Sequence, residues 1–300
     1  MDGTSHNRDH FFKFASASTA QAVITSKSFR WSSPLNFNDP FDHQAGFSFH
    51  VEPSTFAELL VDSIDRVVFS DAEPTEPADS VFPGLIRLIR PNRDKINKAE
   101  FLSGMYAAAL EVGNSLENHI DRFNEEICRH LSHSRVFCVT EEMNNVVMWS
   151  HYADEHRGVA FKLRCIPDLD NALLAAKKVN YSNGFPPFLG PEIYAIHLTG
   201  ERRVDIPSLC WQIPFLKHSD WQYEKEWRVH SPLLAEPAGD GYSVFQESPE
   251  VFEAIYLGCK MEPKMQKRLI ELAGRELPGT EVYRVIKSRR EFALESQRVA

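Results

Sequence analysis

Two stretches of the chain concentrate side chains that can exchange protons, hold anions or stack on a flat ring. In WQYEKEWRVHS (221–231), Glu224, Glu226 and Arg228 recur at alternate positions. As a strand, that spacing puts two carboxylates and a guanidinium on one face and Tyr223, Lys225 and Trp227 on the other. Such a face is either an exposed cross-strand ion pair of small energetic weight, or a carboxylate held by Arg228 to take a hydrogen bond from a substrate hydroxyl or stabilise a cationic transition state. The second stretch is MWSHYADEHRGVAFKL (148–163). On a helix, Trp149, Tyr152 and Ala153 share one face while Ser150, His151 and Asp154 lie on others. Trp149 then reads as core, His151 as a group able to exchange protons or donate hydrogen bonds, and Tyr152 offers a flat ring with a polar tip. Both also suit ordinary positions beside a core.

LNFNDPFD (35–42) places Asn38 and Asp39 before Pro40. The default is an Asx turn, with side chains bonding the local backbone; the same rigid polar groups would also suit a ribose or phosphate. Lys13, between aromatics in FFKF (11–14), is either an edge-strand charge or a point-charge phosphate partner. His151, Asp154 and His156 form the one metal-like cluster. Its two histidines are five apart, about 140° around a helix, so no metal site is assigned.

These residues need a scaffold, and the sequence outlines one. A strand, a helix capped by Ser18 or Thr19, and a second strand are expected over 11–49. Phe56, Leu59, Leu60, Ile64, Val67 and Val68 mark one helical face, and DAEPTEPADS (71–80) breaks it. Helices are expected over about 95–112 and 115–131, so 52–132 reads as a helical insertion. SRVFCVT, VAFKL, KVNYS, EIYAIHL, EWRVHS, AIYLG and EVYRVIK read as strands, with a short helix from Asn144, ended by Gly158, and a longer one in PKMQKRLIELAGREL. The stretch 184–214 reads as a long irregular excursion of the lid or binding-loop kind. Irregular alternation of segments predicts an α+β fold, with a mixed, mainly antiparallel sheet that a split would suit, in a single domain over 1–300.

Composition bounds the function. There are 33 basic and 42 acidic residues, a net −9, which disfavours general nucleic-acid binding while allowing a local basic pocket. Five irregularly spaced cysteines and no C-x-x-C fit a reducing cytoplasm, and neither an export signal nor a run of about 18 apolar residues is visible. P-loop, G-x-G-x-x-G, G-x-S-x-G and H-E-x-x-H motifs are absent, removing the support for several large enzyme classes.

FFKF (11–14), WSSPLNFNDPFD (31–42), FCVTEEMNNVVMWSHYADEHRGVAF (137–161) and WQYEKEWR (221–228) together resemble a bacterial family, the domain of unknown function 2971. Departures are Phe14 where a tyrosine is common and Val139-Thr140 where Phe-Ser is usual. More distantly, the layout is similar to ADP-ribosyltransferase-like folds: a strand with a basic residue, a helix, a second strand, a later aromatic and a late-strand glutamate. That resemblance implies NAD as substrate and cleavage of its nicotinamide–ribose bond, as a toxin or phage-defence effector would perform it. Glu226 would face the ribose and transition state, Glu224 would assist an acceptor, and Tyr152 would stack on nicotinamide. His151 would orient ribose or acceptor, Lys13 and Arg228 would hold phosphate or carboxylate, and Asn38 and Asp39 would shape the ribose side. The alternatives are a hydrolase or nuclease using HYADEH with a divalent metal, and a non-catalytic module binding a nucleotide or a protein.

Overall fold

The computed structural model describes residues 6–43, 46–71, 81–186, 189–231 and 241–300. The elements run β1 (His10–Ala15), α1 (Ala17–Ser26), β2 (Ser28–Ser32), α2 (Pro53–Phe69), α3 (Val81–Ile89), α4 (Lys98–Ser132), β3 (Arg135–Thr140), α5 (Val146–Tyr152) and β4 (Val159–Arg164). They continue with β5 (Lys177–Lys178), β6 (Asn180–Ser182), α6 (Pro191–Thr199), α7 (Ile206–Cys210), β7 (Leu216–His218), β8 (Glu226–Ser231), β9 (Tyr242–Gln246), β10 (Phe252–Leu257), α8 (Pro263–Glu276), β11 (Glu281–Lys287) and β12 (Leu294–Arg298). The expected α+β class with a mixed, mainly antiparallel sheet is what the chain forms. Two compact units divide it: residues 1–43, 130–183 and 214–300, and residues 44–129 and 184–213.

The first unit is built on a ten-stranded sheet in the order β12-β11-β10-β4-β1-β3-β2-β9, with β8 on β3 and β5 on β8; β6 and β7 form a separate parallel pair. Alternation along β1 explains its two faces. Phe11 and Ala15 join the core with Val23 and Ile24 of α1 and Leu269 and Ala273 of α8, while Phe14 packs with Met148 and Trp149 of α5 on the other face. The site depends on how β3 is paired. One of its edges runs along all of β8. The other meets β1 only at Phe12↔Thr140 and β2 only at Ser32↔Val136, so the sheet splits along that edge between its two end contacts.

The turn after α5 takes an unusual path. Asp154, Glu155 and His156 all adopt left-handed conformations, with φ of 48°, 52° and 70°. The excursion brings the chain back onto its own backbone: the Gly158 amide donates to Ala153 O and the Gly258 amide to Gly158 O. A Cβ on Gly158 would stand 2.1 Å from Ala15 O, a contact that only backbone movement relieves. Gly158→Ala is therefore expected to destabilise by about 1–3 kcal/mol, read as a fall in urea midpoint at unchanged slope; a midpoint equal to that of the parent would refute the close approach.

The second unit is helical. Phe56, Leu60, Ile64, Val67 and Val68 of α2 bury together with Ile86, Ala109, Leu116 and Ala195. Ser63 Oγ and Arg66 both bond Glu201.

Several local expectations change. The two helices expected over about 95–112 and 115–131 are one helix, α4, which runs on through Gly113 and Asn114. EIYAIHL is helix α6, not a strand: its Pro191 start and Gly200 stop outweigh the β-leaning composition. The α1 cap is Ser16, which accepts from the Thr19 amide. Residues 72–80, expected to break the helix, lie outside the described residues. The stretch 184–214 contributes α6 and α7 to the helical unit. Among the described residues no helix is long and apolar enough to cross a membrane.

Candidate functional site

The split in the sheet holds a cavity of about 380 Å³. Phe12, Lys13 and Phe14 of β1, Arg30 and Ser32 of β2, and Val136, Cys138, Val139 and Thr140 of β3 line it, with Asn36, Phe37, Asn38, Asp42, Met148, Tyr152, Lys217, Glu224 and Glu226. Lys13 spans the gap, its Nζ donating to Cys138 O at 2.7 Å. That carbonyl lies on the stretch of β3 where β1 and β2 do not pair, and an unbonded backbone oxygen there would be costly.

The sheet wall ends in a network of buried charge. Glu224 and Glu226 reach one another's vicinity by a route other than strand alternation: 219–224 is a 3₁₀ turn, Lys225 is left-handed with φ 44°, and β8 begins at Glu226. The strand expected for EWRVHS is β8, while the alternation carried back to Glu224 stops at Glu226, where the strand begins. Lys217 Nζ donates to Glu224 Oε2 at 2.5 Å and Glu226 Oε2 at 3.0 Å. Arg228 is wholly buried. Its Nε donates to Glu226 Oε1 at 2.7 Å, and its two terminal nitrogens reach Asp42 Oδ1 and Oδ2 at 2.7 and 2.6 Å, with Pro214 O at 2.8 Å. Glu226 also has its amide bonded to the Tyr181 hydroxyl.

Three carboxylates thus face two cations, and they do not share protons equally. Burial raises the proton affinity of Glu226, but Arg228 and Lys217 beside it hold its carboxyl far below the usual range; for Asp42 burial is likewise outweighed, by Arg228 and His43, and its carboxyl is lowered. Glu224 is raised instead, by burial and by the charge of Glu226, against the pull of Lys217. Its Oε1 accepts from the Tyr152 hydroxyl at 2.5 Å. Burial and the Glu224 charge push the Tyr152 phenol well up, so it remains a donor. The Cys138 thiol is pushed far up by burial and Glu226, which keeps it protonated and a poor nucleophile.

Of the residues singled out from sequence, Lys13, Asn38, Tyr152, Glu224 and Glu226 come together on this cavity. Arg228 lies in the network bonded to Glu226. Asp39 is buried, its Oδ1 accepting from the Phe41 amide at 2.9 Å, the Asx turn that proline encoded. His151 is exposed, bonded to the Tyr223 hydroxyl at 3.0 Å. The HYADEH residues diverge: Asp154 pairs with Arg157 and His156 stacks on Trp149. Among the described residues no group of three or more His, Cys, Asp and Glu is placed to hold a metal ion. Sequence reasoning missed Lys217, Asp42 and Arg30. Lys217 follows the apolar run IPFL, a weak hint of burial; Asp42 stood inside a motif already quoted.

Behind the network, His43 and His230 stack at 6.2 Å. Burial, then His43 and Arg228, lowers the His230 pKa to about 4. As pH falls from about 6.5, the unfolded chain takes up a proton that the folded chain refuses until about 4. Stability is therefore present above that window and lost through it, by up to about 3 kcal/mol; His43, also lowered by burial, acts in the same direction. His230→Phe should flatten the decline of melting temperature between these pH values, and an unaltered slope would exclude His230 as its source.

Residues 148–229 match the model of the family described as Protein of unknown function (DUF2971). No curated protein matches the chain, and no solved structure does.

Proposed function

We propose that the cavity in the sheet split binds the nicotinamide-ribose end of NAD and supports cleavage of the bond between them, with Glu224 as the carboxylate that faces the reacting carbon. The observation that carries this reading is the pairing of a carboxyl group of raised proton affinity with a phenol donor, in a cavity that Lys13 and Arg30 also line. Cleavage of the C1′–N1 bond leaves its electron pair on nicotinamide and positive charge on the ribosyl group. A carboxylate in a water-poor wall stabilises that charge more than it would in water. Water, or an acceptor hydroxyl, forms the new bond to C1′ and gives its proton to Glu224, from which it passes to solvent. The proton affinity that burial confers makes Glu224 the better acceptor, whereas Glu226, locked between Arg228 and Lys217, sets the local field. Lys13 and Arg30 supply charge for pyrophosphate, Asn36 and Asn38 supply amide groups for ribose hydroxyls, and Tyr152 presents its ring. Nicotinamide release from NAD, followed by chromatography with and without protein acceptors, tests the proposal; intact NAD after prolonged incubation with nanomolar to micromolar protein overturns it.

A second reading has an observation of its own. Both oxygens of Glu224 and both of Glu226 already have protein donors, which suits a wall that binds a nucleotide without turning it over. Calorimetric binding of NAD with no nicotinamide released would select it.

A further inference from the structure

A second cavity in the sheet unit, of about 590 Å³, is lined by cations in excess. Lys260, Lys287, Arg289 and Arg290 line it, against one carboxylate, Glu291. Among the described residues none of these four cations has a carboxylate within ion-pair distance. In a chain of net −9, four cations against one carboxylate on one cavity are a concentrated positive field.

The loop between β11 and β12, which carries Arg289 and Arg290, is built to display them. Between β11 and β12 the Ser288 amide donates to Ala293 O at 3.0 Å, the Ala293 amide to Glu291 O at 2.9 Å, and the Arg290 amide to Ser288 Oγ at 3.3 Å. With its backbone bonded internally, the loop holds Arg289, Arg290 and Phe292 outward, and Phe292 is as exposed as a side chain in an extended peptide, 109%. A fully exposed phenylalanine beside clustered arginines gains nothing from packing in the free protein. His156 also lines the cavity. It is nine-tenths buried, its Nδ1 has no hydrogen-bond partner, and burial together with Lys260 favours its neutral ring. The cavity therefore contains a polar ring that the protein leaves incompletely satisfied.

We infer that this cavity and its loop bind a short single-stranded oligonucleotide, the four cations tracking successive phosphates and Phe292 stacking on one base. Phosphodiester charge matches the cations, and an unstacked base supplies the flat apolar face that Phe292 lacks. This inference stands apart from the NAD reading, since it uses none of the same residues.

The test is fluorescence anisotropy of the whole chain with a labelled oligothymidylate of about eight nucleotides. Binding at low salt is expected, with the logarithm of affinity falling against the logarithm of salt at a slope of about −2 to −3 for three or four phosphates on a single strand. Phe292→Ala should weaken binding about tenfold with little change of slope, and Arg289→Glu with Arg290→Glu should abolish it. Both changes lie on exposed side chains, and circular dichroism confirms the fold of each variant. Absence of binding at low salt overturns the proposal, as does full affinity in the double arginine variant. Equal affinity in Phe292→Ala, with tripolyphosphate displacing the strand completely, would reduce the site to a simple anion patch and refute base stacking. Preference for anionic phospholipid vesicles over the strand would refute it in favour of a membrane surface.

Discussion

Replacing Arg228 by leucine is expected to lower stability by about 3–5 kcal/mol, the usual consequence of leaving buried carboxylates unpaired. Five of its contacts fall within 2.6–3.0 Å: two each to Asp42 and Glu226 and one to Pro214 O. Without the guanidinium, Glu226 keeps only Lys217 among the cations, and Asp42 keeps that ammonium at 3.8 Å. Either the two carboxyls take up protons, or the segment bearing Asp42 separates from β8. A chain of this size should then melt roughly 6–20 °C lower. Arg228→Lys should fall between the two, because an ammonium cannot fork to two carboxylates. If the penalty comes from orphaned charge, adding Asp42→Leu and Glu226→Leu to the leucine variant should recover much of it. A leucine variant that melts within a degree or two of the parent would show that the network carries no stability.

Glu224→Gln has the larger expected effect on turnover. The amide preserves shape and can still bond Tyr152 and Lys217, so the fold should survive, but it can neither accept a proton nor offset a ribosyl cation. Loss of nicotinamide release by about 10²–10⁴-fold is expected, carried by kcat and not by KM. Tyr152→Phe gives an independent readout. The Tyr152 hydrogen bond favours the Glu224 carboxylate, so removing it raises the carboxyl pKa further. Activity that needs the carboxylate rises with pH through that pKa, so the acid limb of the profile should move to higher pH in Tyr152→Phe. Glu224→Gln retaining more than about a tenth of parental release would remove Glu224 from the reaction.

Why part of this was legible in the chain and part was not follows from the range of the interactions. The faces of α2 and α5 are set by neighbours three and four residues away, and Phe56 and Trp149 lie where that periodicity put them. Glu224 and Glu226 were picked out by a strand alternation that the chain does not follow. The left-handed Lys225 brings them together instead, and no propensity announces such a conformation at a lysine. Lys217 and Asp42 were harder still. Asp42 meets Arg228 across 186 positions, and only the assembled sheet decides that partner. EIYAIHL shows the converse failure, where a β-leaning composition yielded to the proline and glycine at its ends.

The position of β1 bears on how the chain is made. HFFKFA occupies the middle of the sheet, yet its six-residue partner β4 ends at Arg164, opposite His10. At a synthesis rate of roughly 5–20 residues per second, that strand waits about 8–30 s with Phe11, Phe12 and Phe14 exposed before its ladder can form. Such a delay leaves a ready template for pairing between nascent chains. Lys13, placed among those phenylalanines, then has an earlier duty than bridging the split: its charge discourages the strand from joining copies of itself while the rest of the sheet is still being synthesised.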